Sequence, residues 1–209
     1  MKAWLTIWIN LLLLVGIGVT PVAATENHQP KLTTETAVFA GGCFWGVDAV
    51  FKHVKGVTST TSGYAGGSAD TAQYERVSQG DTGHAESVRV VFDPDKVSYN
   101  QLLQVFFAVA HNPTQLNYQG PDEGTQYRSA IFYTSAEQQR ETQNYIQQLT
   151  QKRTYSSNIV TQVVPLKQFY PAEDHHQNYL ALHPNQPYIM IYDQPKLIQL
   201  RRQFPALYQ

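Results

Sequence analysis

An α+β fold, a mostly antiparallel sheet with flanking helices arranged as a split β-α-β sandwich, is what this 209-residue sequence predicts. Three observations lead there. Short β-branched apolar runs and runs at helical spacing follow one another in the order β-α-β-β-α-β, with further β and α elements behind them. Glycine-rich turns separate them. Two long stretches without periodicity, 68–86 and 111–128, interrupt the alternation where a compact domain carries functional loops.

From the N-terminus, Met1-Lys2 leads into an apolar run from Ala3 to Val19, then Pro21-Val22-Ala23-Ala24. One positive residue, an apolar stretch and small residues at Val22 and Ala24 match a secretory signal peptide over 1–24, cleaved after Ala24. An uncleaved anchor is the alternative, and the run is near the lower length limit for spanning. Either way the folded part faces the far side of the membrane, so a periplasmic or secreted location is expected. No cysteine lies near the cleavage point to carry a lipid, and no stable membrane association is expected after cleavage. Cleavage removes one of the 15 basic residues and none of the 16 acidic ones, leaving a net charge of −2 that asks for no nucleic acid. Residues 25–34 read as a flexible polar lead-in and 35–209 as one domain.

Within that domain, Thr36 to Ala40 is a strand, and Val47, Val50, Phe51 and Val54 recur at helical spacing after a glycine turn. Gly56 to Thr61 has strand character and runs into the loop signal Gly63-Tyr64-Ala65-Gly66-Gly67. Ser87 to Phe92 alternates like a half-buried strand. Ser98 with Gln101 has capping-box spacing ahead of Leu102, Leu103, Phe106, Phe107 and Val109. Ser129 to Tyr133 is a strand, Ser135 with Gln138 caps a polar helix to about Gln151, and Ile159 to Val164 is another strand. Helices are expected over Glu173 to Leu182 and Pro195 to Phe204.

Gly41-Gly42-Cys43-Phe44-Trp45-Gly46 holds the only cysteine in the chain. At a strand-turn-helix junction, Cys43 lies near free amide N–H groups and the positive end of the helix dipole, a setting that favours a thiolate nucleophile. A lone cysteine can equally be a small buried hydrophobe. An exported chain with one cysteine cannot form an internal disulfide, so the thiol needs another explanation. The two loops offer Tyr74, Glu86, Asp122 and Tyr127 as partners, although a lone Glu or Tyr is more often a surface or packing residue. A cysteine protease or acyl transferase would want a His base, for which His84 and His176 are candidates. His175-His176 with His183 lacks any HExxH or CxxC companion, so no metal is expected, and no dinucleotide fingerprint is present.

These stretches, with Gly83-His84-Ala85-Glu86, His111-Asn112-Pro113-Thr114, Gly124-Thr125-Gln126-Tyr127-Arg128-Ser129 and Tyr170-Pro171-Ala172-Glu173-Asp174, resemble in order the A-class peptide methionine sulfoxide reductases over nearly all of the mature chain. The resemblance implies a ferredoxin-like split sandwich and reduction of methionine S-sulfoxide, free or in peptides and proteins. It makes Cys43 the nucleophile, Glu86 the acid for the sulfoxide oxygen, Tyr74 and Tyr127 hydroxyls bonding that oxygen, Phe44 and Trp45 the methyl pocket, and Asp122 a nearby carboxylate. Chemistry agrees independently of the name: a sulfoxide oxygen leaves poorly until protonated, and a carboxyl kept neutral by an apolar pocket can supply the proton.

Many relatives carry further cysteines that resolve the resulting sulfenic acid; here Ser78 stands at one such place and the tail ending Ala206-Leu207-Tyr208-Gln209 has no thiol. Recycling then calls for an external thiol, thioredoxin-like, glutaredoxin-like or small, attacking Cys43 directly. His175 stands where Tyr is expected, and neither it nor His176 is placed in the catalytic set. No prosthetic cofactor and a monomer are expected. A thiol peroxidase and a non-catalytic oxidised-peptide binding module are the alternatives.

Overall fold

The computed structural model describes Met1 and residues 33–209, so the signal peptide beyond Met1 and most of the lead-in lie outside the described residues. The strands are β1 (Glu35–Ala40), β2 (Val57–Ala65), β3 (Ala85–Phe92), β4 (Tyr118–Gln119), β5 (Asp122–Glu123), β6 (Ala130–Tyr133), β7 (Gln162–Pro165) and β8 (Phe169–Pro171). Six of them form one sheet in the order β7-β6-β1-β3-β2-β8, while β4 and β5 pair as a small hairpin. All neighbours in the sheet are antiparallel except β6 and β7. The inner order β6-β1-β3-β2, with a helix after β1 and another after β3, is the split β-α-β arrangement expected.

The helices are α1 (Phe44–Lys52), α2 (Tyr74–Val77), α3 (Tyr99–Val105), α4 (Ala136–Gln151), α5 (Tyr179–Leu182) and α6 (Gln194–Gln203). α1 presses Phe44, Val47, Val50 and Phe51 into the core, where Phe39 of β1 stacks on Phe51 at 4.8 Å and packs on Phe106 at 4.9 Å. Each such ring contributes roughly 1.5–3 kcal/mol by leaving water. Buried Asp48 holds α1 to the sheet by accepting from Thr60 and to its own next turn through Lys52 at 2.8 Å. α3 starts on the expected capping box, Gln101 N–H donating to Ser98 Oγ at 3.2 Å and Ser98 N–H to Gln101 Oε1 at 2.9 Å. It continues as one π-helical turn, Phe106–Ala110. α4 ends at Gln151 as its pattern predicts, and its Gln138 side chain donates to Thr36 O at 2.8 Å, tying helix to strand.

Four expectations change. β2 runs on through Gly63-Tyr64-Ala65, read as a loop, because this stretch is paired on both sides, with β3 and with the unanticipated β8. β7 begins at Gln162 rather than Ile159. The helix expected over Glu173 to Leu182 is only a 3-10 turn (Asp174–His176) and the single-turn α5. Between them Asn178 has φ 56, and the Gln177 amide leaves the helix pattern to bond Ser62 O and N–H at 3.0 Å each. The loop 68–86 is ordered by a 3-10 turn (Ala69–Thr71) and α2.

Candidate active site around Cys43

Cys43 is the N-cap residue of α1 and only 8% exposed. The flanking glycines let other segments close over it. Gly42 has φ +87, and a Cβ there would stand 2.5 Å from Gln119; a Cβ on Gly46 would stand 2.1 Å from the Asp193 carboxylate. The helix start favours a thiolate at Cys43, and its surroundings act against that. Burial pushes the thiol well above its usual value, and Glu86 and Asp193 add to that; the Trp45 N–H opposes them, and Asp122 adds again. One helix-terminal N–H cannot offset burial among three carboxyl groups. The resting thiol is therefore neutral.

Glu86 sits on β3 opposite Tyr64, 3% exposed, and its Oε2 accepts the Phe44 N–H at 3.0 Å. Burial pushes its carboxyl up to about 8, against the Phe44 N–H, with Asp122 adding. At neutral pH it carries its proton, as an acid for a sulfoxide oxygen must. Tyr74 on α2 and Tyr127, which closes the 3-10 turn Thr125–Tyr127, are both partly buried. Burial raises both phenols, and each also feels Glu86, Cys43 and Asp122. Asp122, on β5, is raised by burial and restrained by the Tyr188 hydroxyl, which donates to its Oδ2, and by Lys196.

The aromatic side is built on α1. Phe44 is 1% exposed, with its ring 5.2 Å from His176 and 5.9 Å from Tyr64. Trp45 stacks on Tyr179 at 3.7 Å and meets Tyr188 edge-on at 6.0 Å. Its Nε1–H donates to His176 Nδ1 at 3.3 Å, so His176 keeps that nitrogen unprotonated, while its buried Nε2 has no hydrogen-bond partner among the described residues. All seven residues singled out in the sequence, Cys43, Phe44, Trp45, Tyr74, Glu86, Asp122 and Tyr127, belong to this cluster.

Sequence reasoning missed Tyr179, Tyr188 and Asp193, and set His176 aside. Nothing in the spacing marks the two tyrosines; Asp193 and Lys196 form an i,i+3 pair at 3.0 Å at the head of α6, a pattern that reads as surface, yet Asp193 is fully buried and Lys196 partly so. His84 is a strut rather than a base: its Nδ1 accepts from Gly67 N–H at 3.2 Å and its Nε2 reaches Ser68 O at 2.9 Å. Among the described residues no group of His, Cys, Asp or Glu is arranged to hold a metal ion, and no helix is long and apolar enough to cross a membrane.

A family profile described as peptide methionine sulfoxide reductase matches residues 35–207. The chain is 58% identical over 175 residues to peptide methionine sulfoxide reductase MsrA 2 of Mesorhizobium japonicum, covering 84% of this chain and 90% of that protein. It is 48% identical over 188 residues to MsrA 2 of Synechocystis sp., covering 90% and 86%. Among solved structures, reduced Mxr1 of Saccharomyces cerevisiae superposes with a TM-score of 0.69 at 34% identity, covering 73% of this chain and 87% of that one. Methionine sulfoxide reductase A of Corynebacterium diphtheriae gives 0.65 at 36%, covering 76% and 78%. On sequence and fold together, this chain belongs to the peptide methionine sulfoxide reductase family.

Proposed function

We propose that Cys43 and Glu86 divide the reduction of methionine S-sulfoxide to methionine between them, Cys43 taking the oxygen and Glu86 moving the protons. The observation that carries this is a buried carboxyl that accepts, at 3.0 Å, the backbone N–H of the residue after the nucleophile, its pKa pushed up by burial to about 8. With the substrate methyl against Phe44 and Trp45 and its oxygen toward Glu86, Tyr74 and Tyr127, Glu86 protonates the oxygen and the substrate sulfur becomes electrophilic. The carboxylate so formed accepts the proton of the neutral Cys43 thiol as Sγ attacks the substrate sulfur and an Sγ–S bond forms. The hydroxyl then passes to Sγ as the substrate's S–O bond and the Sγ–S bond both break, so methionine leaves and Cys43 is left as a sulfenic acid. Glu86 ends as it began, so one group serves as both acid and base. A chiral sulfur that must present oxygen and methyl to opposite walls admits one epimer.

An external thiol then attacks the sulfenic sulfur, releasing water and leaving a mixed disulfide on Cys43, which a second thiol resolves to give a disulfide and the free enzyme. The tail offers no internal route: it is cysteine-free and returns to the end of α1, with Gln209 N–H donating to His53 O at 3.0 Å. A thioredoxin-like, glutaredoxin-like or small thiol is compatible with this chemistry, and oxidised proteins, peptides and free methionine sulfoxide with the pocket. Export behind residues 1–24, as a monomeric domain over 35–209, is part of the same proposal and rests on the charge and hydropathy of the leader.

Single-turnover assay of pre-reduced protein with the separated epimers of a blocked methionine sulfoxide tests it. One equivalent of sulfide from the S epimer alone, and none from Cys43→Ser, is expected. No sulfide from either epimer, with rapid loss of the thiol to hydrogen peroxide, would replace this reading with a thiol peroxidase.

A further inference from the structure

Glu173 lies outside the set of residues given a role in the reaction, yet it is the contact that holds one of them in place. Tyr74 opens α2, a helix of only four residues whose N-cap residue, Gln73, makes no side-chain capping bond. A helix that short leaves its first amides unsatisfied and has little intrinsic stability. The missing acceptor comes from 99 residues away: Glu173 Oε1 accepts the Tyr74 N–H at 2.9 Å. Its other oxygen, Oε2, accepts the hydroxyl of Tyr64 at 2.8 Å. Tyr64 is fully buried, lies opposite Glu86 in the β2–β3 ladder, and packs its ring on Phe44. Glu173 is thus anchored to the part of the sheet that carries the catalytic acid, and it fixes the loop that carries Tyr74.

Neighbouring contacts point the same way. Glu173 starts the turn that ends at His176, whose N–H donates to Glu173 O at 2.9 Å. The Tyr74 ring rests 4.4 Å from the His176 ring, so backbone and ring of Tyr74 are both seated on this one turn. Burial would raise the Glu173 carboxyl, but the N–H groups of Tyr74 and of Glu173 itself and the Tyr64 hydroxyl hold it below the usual range, so it stays ionised and acts only as acceptor.

We propose that Glu173 is a positioning residue for Tyr74: by capping α2 from a distance while held by Tyr64, it sets where the Tyr74 hydroxyl meets the sulfoxide oxygen. The inference rests on the reading of Tyr74 under Proposed function. A carboxylate suits the task because its two oxygens accept from two donors that lie on different elements. Glutamine keeps one acceptor for the Tyr74 N–H but presents an NH2 group to Tyr64, which must turn its hydroxyl proton away. Alanine leaves a buried phenol without its acceptor and α2 without its cap.

The test is a double-mutant cycle on the full-length mature chain, read as single-turnover reduction of the S-sulfoxide at limiting and saturating substrate, with thermal unfolding of each variant alongside. Tyr74→Phe is expected to lower the saturating rate about ten-fold, and Glu173→Ala by about as much, with substrate affinity moving less than about two-fold in either. In the Tyr74→Phe background, Glu173→Ala is expected to add less than about a two-fold further loss, because the hydroxyl it positions is gone. Glu173→Gln is expected to lose only about three-fold, and the same cycle run with Gln decides the matter if the Ala variant fails to fold. Full additivity of the two losses overturns the proposal, as does a wild-type rate in Glu173→Ala or in Tyr74→Phe. A wild-type protein that makes no sulfide from either epimer sinks the reductase reading instead.

Discussion

The two walls of the side-chain cluster around Cys43 are built on different physical terms. The wall of Glu86, Tyr74, Tyr127 and Asp122 is made of ionisable groups, each raised by burial, and it is assembled from a strand and two loops. The other wall, Phe44, Trp45, Tyr179 and Tyr188, is made of rings in contact, carried by α1 and the C-terminal segment. In the proposed reaction the first wall handles protons and depends on low dielectric, while the second handles shape and depends on contact area. Losses on the first should therefore appear in the chemical step, and losses on the second in affinity.

The largest effect belongs to the group between the walls: Cys43→Ser should form no sulfide in a single turnover, and any stoichiometric product from it would remove the nucleophile from this account. Next comes Glu86→Gln, expected to lower the saturating rate roughly 10²- to 10³-fold with affinity nearly unchanged. The wild-type rate should be high below about pH 8 and fall as pH rises through that value, because the acid form of Glu86 is the active one and is lost there. A pH-rate profile that rises across this range would break the assignment. On the other wall, Trp45→Ala should weaken substrate binding roughly ten-fold or more while the saturating rate changes less. A kcat loss at unchanged KM would erase the distinction between the walls.

The smallest effect sharpens the comparison at a place where side chains of the two walls touch. The Tyr188 hydroxyl donates to Asp122, and it helps keep that carboxyl from rising further. Tyr188→Phe keeps the ring against Trp45 and should cost about five-fold in rate, the usual worth of about 1 kcal/mol for one hydrogen bond. Asp122→Asn in the same background should add little, since the two act through one bond. Independent losses would show that Tyr188 belongs to the aromatic wall alone.

On the first wall, Glu86 and Tyr127 lie in short motifs that carry the family resemblance, Gly83-His84-Ala85-Glu86 and Gly124-Thr125-Gln126-Tyr127, whereas Tyr74 and Asp122 lie in none of them and were given roles only by what that resemblance implies. The split β-α-β order was equally plain, since strand and helix periods differ and the capping box of α3 is local. The aromatic wall was legible only by half. Phe44 and Trp45 adjoin Cys43, whereas Tyr179 and Tyr188 lie more than a hundred residues on, in a stretch whose helical pattern gives way at Asn178. β8 was missed for a related reason: three residues make no periodic signal, and only pairing with Tyr64 and its neighbours makes Phe169–Pro171 a strand.

By itself the sequence determined which groups are available and which elements carry them: one thiol at the head of a helix, one acid at the start of a strand, and no second cysteine to finish the cycle. Those are local facts, set by residue identity and by periods of two and 3.6. The ionisation of these groups was decided only in three dimensions. The helix start that argues for a thiolate is overruled by burial beside Glu86, Asp193 and Asp122, and Asp193 reaches it from the far end of the chain. Charge in a protein interior is governed by what surrounds a group within a few ångströms, and those neighbours are chosen by the fold rather than by adjacency along the chain.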